Sequence, residues 1–227
     1  MKEFPIQFNA EMVKAILAGR KSQSRREVKG APTNTESYLL GVHQGVWGIH
    51  ADVEKDDGVW RGKCPFGQPG DQLRISEEVT VTVVPGTNRY RCEYAADGAV
   101  IEREGEAELL AKIAAYKKPR LRGVHLPPAY ARPERLRITG IAVERLNAIS
   151  ETDSIAEGIE SVDAKDLPEY QTRKSWWYSG KLRELGQQTY TPEWAFRNLW
   201  EHVYGSDSWA KNPWVFVLSF EVLRCRT

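Results

Sequence analysis

Cysteine is scarce in this 227-residue chain: Cys64, Cys92 and Cys225 are an odd number at wide spacing. That count builds no disulfide framework, and no apolar run precedes a small-residue cleavage site near the start, so the expectation is a reduced protein of the cytoplasm. Long apolar runs are lacking as well, and no segment approaches the length needed to cross a bilayer. Close Cys or His pairs are missing; His43, His50 and Cys64 are the nearest thing to a metal set, and their spacing is wrong for zinc. No metal or other cofactor is expected. A charge of one sign is lacking too, with 32 Lys and Arg against 31 Asp and Glu, so overall charge points to neither nucleic acid nor membrane.

The length suffices for a sizeable core and favours one domain with embellishments. Charge is distributed less evenly than its sum suggests. Residues 117–137 hold Lys117, Lys118, Arg120, Arg122, Arg132, Arg135 and Arg137 against the single acid Glu134, whereas 52–57 is acid-rich. A basic face is compatible with overall neutrality.

The stretch 19–26, Gly-Arg-Lys-Ser-Gln-Ser-Arg-Arg, carries four cations, two hydroxyls and one amide with no apolar side chain between them. It follows a short helix pattern that Gly19 is placed to end. Like charge from the arginines disfavours an ammonium at Lys21, so this lysine can act as a base. If the chain turns, the Ser24 hydroxyl meets the Lys21 amine as in Ser-Lys hydrolases. A run of charge is ordinarily a solvated face, and composition alone favours that plainer reading.

Elsewhere the pattern is mixed. Asn9 caps a helix over 10–18 with Met12, Val13, Ile16 and Leu17 on one side; 106–118 reads as a helix striped by Leu109, Leu110 and Ile113; Ser150 opens another over 150–160; and Thr191-Pro192 starts one over 192–203. Residues 72–84, 135–146 and 214–222 read as strands of one curved sheet, the last apolar on both faces and hence central. A hairpin is expected near 46–49 and another over 85–105, and loop-rich insertions at about 27–63, 85–130 and 163–190. Glu77, between two strand patterns, is either a site acid or an exposed carboxylate. Trp176, Trp177 and Tyr178 beside Arg173, Lys174 and Lys181 either stack on bases or pin an insertion to the core. Helical periodicity turns Glu157 to solvent.

Taken in order, GRKSQSRR, CPFGQPGDQL, ISETDSIAEGI and NPWVFVLSFEV resemble the ASCH-domain family, in particular its longer bacteriophage and prophage members. The resemblance covers both ends and the middle, about half the chain. It implies an α+β, PUA-like fold: a small β-barrel with helices packed on it, related to modules that bind RNA or modified bases. Small members are amidohydrolases that remove the acetyl group of acetylcytidine with a Lys, a Thr and a Glu, matched here by Lys21, Ser24 and Glu157. This implication turns Glu157 toward a cleft. The family threonines are Ser22 and Ser24 here, and its Trp-Val-Arg-Glu is Arg74-Ile75-Ser76-Glu77, which keeps the Glu and replaces the aromatic by Arg74.

Two classes of function follow. In one, Ser24 attacks the amide carbon of an N-acylated cytidine, Lys21 takes its proton, and Glu157 orients Lys21 or protonates the leaving amine. In the other, the chain is a non-catalytic module for RNA or modified DNA, with Arg20, Arg25, Arg26 and the 117–137 cations on phosphate and Ser22 and Glu77 beside the ligand. The expected partner is a nucleoside or a single strand of RNA or DNA, with no membrane.

Overall fold

The computed structural model describes residues 1–31, 39–43, 45–50, 60–123, 126–162, 175–177 and 189–223. In chain order the elements are β1 (Glu3–Gln7), α1 (Ala10–Leu17), β2 (Gln23–Glu27), β3 (Leu39–His43), β4 (Val46–His50), β5 (Trp60–Lys63), β6 (Gln72–Ser76), β7 (Val79–Val83), β8 (Arg89–Tyr94) and β9 (Val100–Glu104). Then come α2 (Ala107–Ala114), β10 (Arg120–Leu121), β11 (Arg135–Arg145), α3 (Glu151–Ala156), β12 (Glu160–Val162), β13 (Ser175–Trp177), α4 (Pro192–Tyr204) and β14 (Trp214–Leu223). The protein is a strand-rich α+β structure.

The main sheet has the order β1-β6-β11-β14-β2. β1 runs parallel to β6 and the other neighbours are antiparallel. β14 lies between β11 and β2 as its apolar sequence requires, with Trp214 through Leu218 all buried. The expected barrel is not closed among the described residues. Closure needs every edge strand paired, and here β1 pairs only with β6 and β2 only with β14.

The expectation that both strand runs of 72–84 belong to one sheet also fails. β6 belongs to the main sheet, whereas β7 joins a second, four-stranded sheet, β10-β7-β8-β9. The break is at Glu77, whose buried carboxylate accepts from Arg132 Nη1 and the Ala96 N–H, each at 2.9 Å, and so fixes a turn between the two strands. The residues expected as insertions at 85–130 thereby gain a core of their own, with Val79, Val81, Tyr90, Tyr94, Ile113 and Tyr130 buried together. The hairpin expected at 46–49 is the centre of a three-stranded sheet, β3-β4-β5. Trp60 ties it to β14, its ring 6.2 Å from that of Phe216.

Helix ends follow the local sequence. Asn9 Oδ1 accepts the Met12 N–H at 2.8 Å, Ser150 Oγ accepts the Asp153 N–H at 3.1 Å, and Thr191 Oγ1 accepts the Trp194 N–H at 3.3 Å. Each side chain satisfies a donor that a helix start otherwise leaves open. α1 and α4 then bury one face each on the main core, Val13 and Ile16 from the first, Phe196, Leu199 and Trp200 from the second.

Candidate functional site

The basic run is not a loop at a helix exit. Gly19 takes φ +75°, which reverses the chain after α1, and the N–H groups of Arg20 and Lys21 both return to the Ala15 carbonyl, at 2.9 and 3.1 Å. Lys21 then forms an antiparallel bridge with Glu157, and the Ser22 N–H donates to the Ala156 carbonyl at 2.8 Å. From Gln23 onward the run is the edge strand β2 on β14. Lys21, Ser24 and Arg25 face inward, and Arg20 and Ser22 stay exposed. The solvated-face reading is overturned for the inward three, because both α1 and α3 end against this segment.

Gly158 makes the approach of Glu157 to Lys21 feasible. It follows α3 at φ +98°, and a Cβ there would lie 3.2 Å from the Cβ atoms of Ala15 and Lys21. With no side chain in the way, Lys21 Nζ donates to Glu157 Oε2 at 2.5 Å and to the Glu157 carbonyl at 2.9 Å. Both side chains are sealed from water, at 0% and 3% exposure. Beside them Arg25 donates from Nη1 to Glu157 Oε1 at 3.3 Å and from Nη2 to Glu144 Oε1 at 2.8 Å, and its Nη2 stands 3.3 Å from Asp153 Oδ2. Two cations thus meet three carboxylates.

Burial is the largest influence on Lys21 and pushes its ammonium below the ordinary lysine range. Glu157 opposes this, while Arg26 and Arg25 push further down. The arginines anticipated as the cause are therefore the lesser one. Asp153 is held below the usual carboxylate range: burial works against ionisation, but hydrogen bonds from Ser150 and Gln23 and the nearby Arg25 outweigh it.

Ser24 is buried opposite Leu218 of β14 and makes no hydrogen bond to Lys21 among the described residues. It lines, with Arg25 and Glu157, a crevice roofed by Phe196, Leu199 and Trp200 of α4. The space is about 10 Å³, room for roughly one water. Glu157 thus meets Lys21 on one side and shares a crevice with Ser24 on the other, and α4 closes that crevice.

The remaining candidates scatter. Arg20 pairs with Glu160 at the surface, and Arg26 donates to the Gln7 carbonyl at 2.6 Å and to the Tyr204 hydroxyl at 3.3 Å. Glu77 belongs to the Arg132 cluster and shares no partner with Lys21, Ser24 or Glu157. The 117–137 cations are largely matched by acids remote in sequence: Arg120 by Glu78, Arg132 by Glu77 and Asp97, Arg135 by Glu3, Arg137 by Glu221. Trp176 and Trp177 are buried in β13 and pin it to the core, paired with β12. Tyr178, Arg173, Lys174, Lys181 and Cys225 lie outside the described residues, as do the side chains of His43 and His50.

Sequence reasoning missed Glu144 and Asp153 as partners of Arg25. The signals were present: Glu144 interrupts an otherwise apolar alternation late in β11, and Asp153 stands where a capping box ordinarily carries Glu. No described helix is long and apolar enough to cross a membrane. Comparison of the chain with family models, curated proteins and solved structures finds no match.

Proposed function

We propose that this protein is an amidohydrolase that removes the acyl group from an N-acylated cytidine-type nucleoside, on a PUA-like ASCH core of the bacteriophage type. The observation that carries the reading is the buried Lys21, depressed below its ordinary range and held by Glu157, which lines one crevice with Ser24. A lysine that gives up its proton readily is what a serine nucleophile needs next to it.

In the reaction, Ser24 Oγ bonds to the acyl carbon and its proton passes to the neutral Lys21 amine. The tetrahedral adduct collapses, the C–N bond breaks, and the cytosine amine leaves with the proton from Lys21. Water then attacks the acyl-serine carbon, Lys21 takes the water proton, and it returns that proton to Ser24 Oγ as the carboxylic acid departs. Glu157 Oε2, 2.5 Å from Nζ, orients the amine through both steps. Arg25 holds Glu157 in place from its other oxygen. A space of about 10 Å³ admits no nucleoside, so turnover requires α4 to move away from β2.

The assay is release of cytidine from acetylcytidine, separated by chromatography. Lys21→Met keeps the stem and removes the base, and turnover falls by about a hundred- to ten-thousandfold. Lys21→Arg fails equally, since guanidinium keeps its proton. Ser24→Thr keeps the hydroxyl and retains activity. The rate of the parent rises with pH to a plateau reached below the ordinary lysine pKa of about 10.4. A parent inert on a panel of acylated nucleosides replaces this reading by that of a non-catalytic module for RNA or modified DNA, which the closed crevice favours.

A further inference from the structure

A second space lies at the C-terminal end of α4, between its last turns, the end of β2 and the segment 205–213. It measures about 650 Å³ and is lined by Glu27, Trp200, Tyr204, Ser208, Lys211 and Asn212, with Ala210 and Pro213. That volume is in the range of small-molecule sites. We propose that this cavity binds a free mononucleotide whose base carries an exocyclic amine, of the cytidine or adenosine monophosphate kind, independently of whether the Lys21 trio is catalytic.

One wall is aromatic. The rings of Trp200 and Tyr204 lie 4.2 Å apart at 36°, and Tyr204 remains 41% exposed, so its outer face is open to a flat ring. Trp200 is 3% exposed, and its indole N–H is buried with no partner among the described residues. Trp200 lines both this cavity and the crevice beside Ser24, so its ring forms a rigid backing for Tyr204.

The charges complete the match. Glu27 and Lys211 are exposed at this cavity and make no ion pair among the described residues, whereas Arg20, Arg25 and Arg197 nearby in the chain or fold are all paired. A carboxylate accepts the amine of cytosine or adenine and repels the carbonyl that uracil offers there. An ammonium serves a phosphate as a point charge. The floor is fixed: Asn212, at φ +42°, accepts the Asn147 N–H on Oδ1 at 2.9 Å and the Arg145 guanidinium on its carbonyl at 3.0 Å. Asparagine tolerates that left-handed backbone at low cost, so Lys211 is presented from a held turn.

The test is isothermal titration of the whole protein with cytidine monophosphate, uridine monophosphate, cytidine and inorganic phosphate. Cytidine monophosphate binds more tightly than uridine monophosphate or cytidine, each by at least about tenfold, the equivalent of about 1.4 kcal/mol. Lys211→Met abolishes the advantage over cytidine, and Glu27→Gln abolishes the advantage over uridine monophosphate. Both changes are at exposed positions, and circular dichroism confirms that each variant is folded. Lys21→Met abolishes turnover and leaves this titration as it is, so the two readings fail separately. No heat at millimolar cytidine monophosphate, equal binding of all four probes, or affinity indifferent to Lys211→Met and Glu27→Gln overturns the proposal.

Discussion

At Lys21 the removal of water acts against the charge that Glu157 supports, and the balance is what makes the residue chemically useful. The same balance makes it a point of structural risk. Breaking a buried ion pair from one side leaves a charge with neither water nor partner, at a cost of about 3–5 kcal/mol. Glu157→Ala is therefore expected to lower stability by about that amount in urea unfolding, and Lys21→Met combined with Glu157→Leu to be closer to the parent than Glu157→Ala alone. A double variant less stable than the single one would mean that the pair matters for more than its charges. Much of this residue scale was legible beforehand. Lys21 and Ser24 carry their chemistry in their types and spacing. Glu157 was misread by periodicity because it stands at the helix C-terminal cap, where Gly158 bends the chain and a helical wheel no longer places side chains. The burial of Arg25 was illegible because Glu144, 119 positions away in sequence, comes beside it only through the fold.

Elements were read more securely than their consequences. The caps of α1, α3 and α4 stand one residue before each helix, and short-range hydrogen bonding fixes them whatever the rest of the chain does. What α4 covers was not readable, since a buried face on a helix says nothing of what lies beneath it. It covers Ser24 and Glu157, with Val203 among the crevice residues though 40% exposed. That combination permits a test of the roof. Val203→Ala removes two methyl groups from a half-exposed position, a change of about 1 kcal/mol or less in stability. If the roof limits access, kcat/KM for acetylcytidine rises severalfold while the plateau pH stays fixed. An unchanged kcat/KM in a variant of parental stability would place the limiting step elsewhere than in the movement of α4.

At the scale of the whole molecule the two cores differ in what they bury. The second holds Tyr90, Tyr94, Tyr130 and Cys92, all pushed up by loss of solvent, Tyr94 to about 12. The main core holds Cys64, pushed up to about 11, and the lysine of the candidate site. An acid whose pKa is raised on folding contributes in full below its unfolded value, and that contribution is lost as pH rises toward the folded value. For the tyrosines the loss begins at about 10 and for the thiols at about 8.5. Lys21 has the opposite sign: its folded pKa is depressed, the unfolded chain binds the extra proton, and stability gains as pH climbs toward the unfolded value. Each core holds one such thiol, so the three tyrosines of the second core and the opposing lysine of the main one make alkali weaken the second core more. This division was hidden in the sequence, where β6 and β7 read as one sheet, because it turns on the buried Glu77 and Arg132 pair rather than on any break in strand propensity. Proteolysis pulses between pH 8 and 11, mapped by mass spectrometry, should cut within 79–130 before cutting β11 or β14. Tyr94→Phe sharpens the test. It removes one alkaline group, a weak acceptor for Arg103 at 3.5 Å, and one hydrogen bond to the Ala131 carbonyl, which still accepts from Arg103 at 2.9 Å. Its cost at neutral pH is about 1 kcal/mol, and the pH at which 79–130 becomes cleavable moves upward. A midpoint that stays put, or cleavage that starts in the main sheet, would mean that the buried tyrosines do not set the alkaline limit.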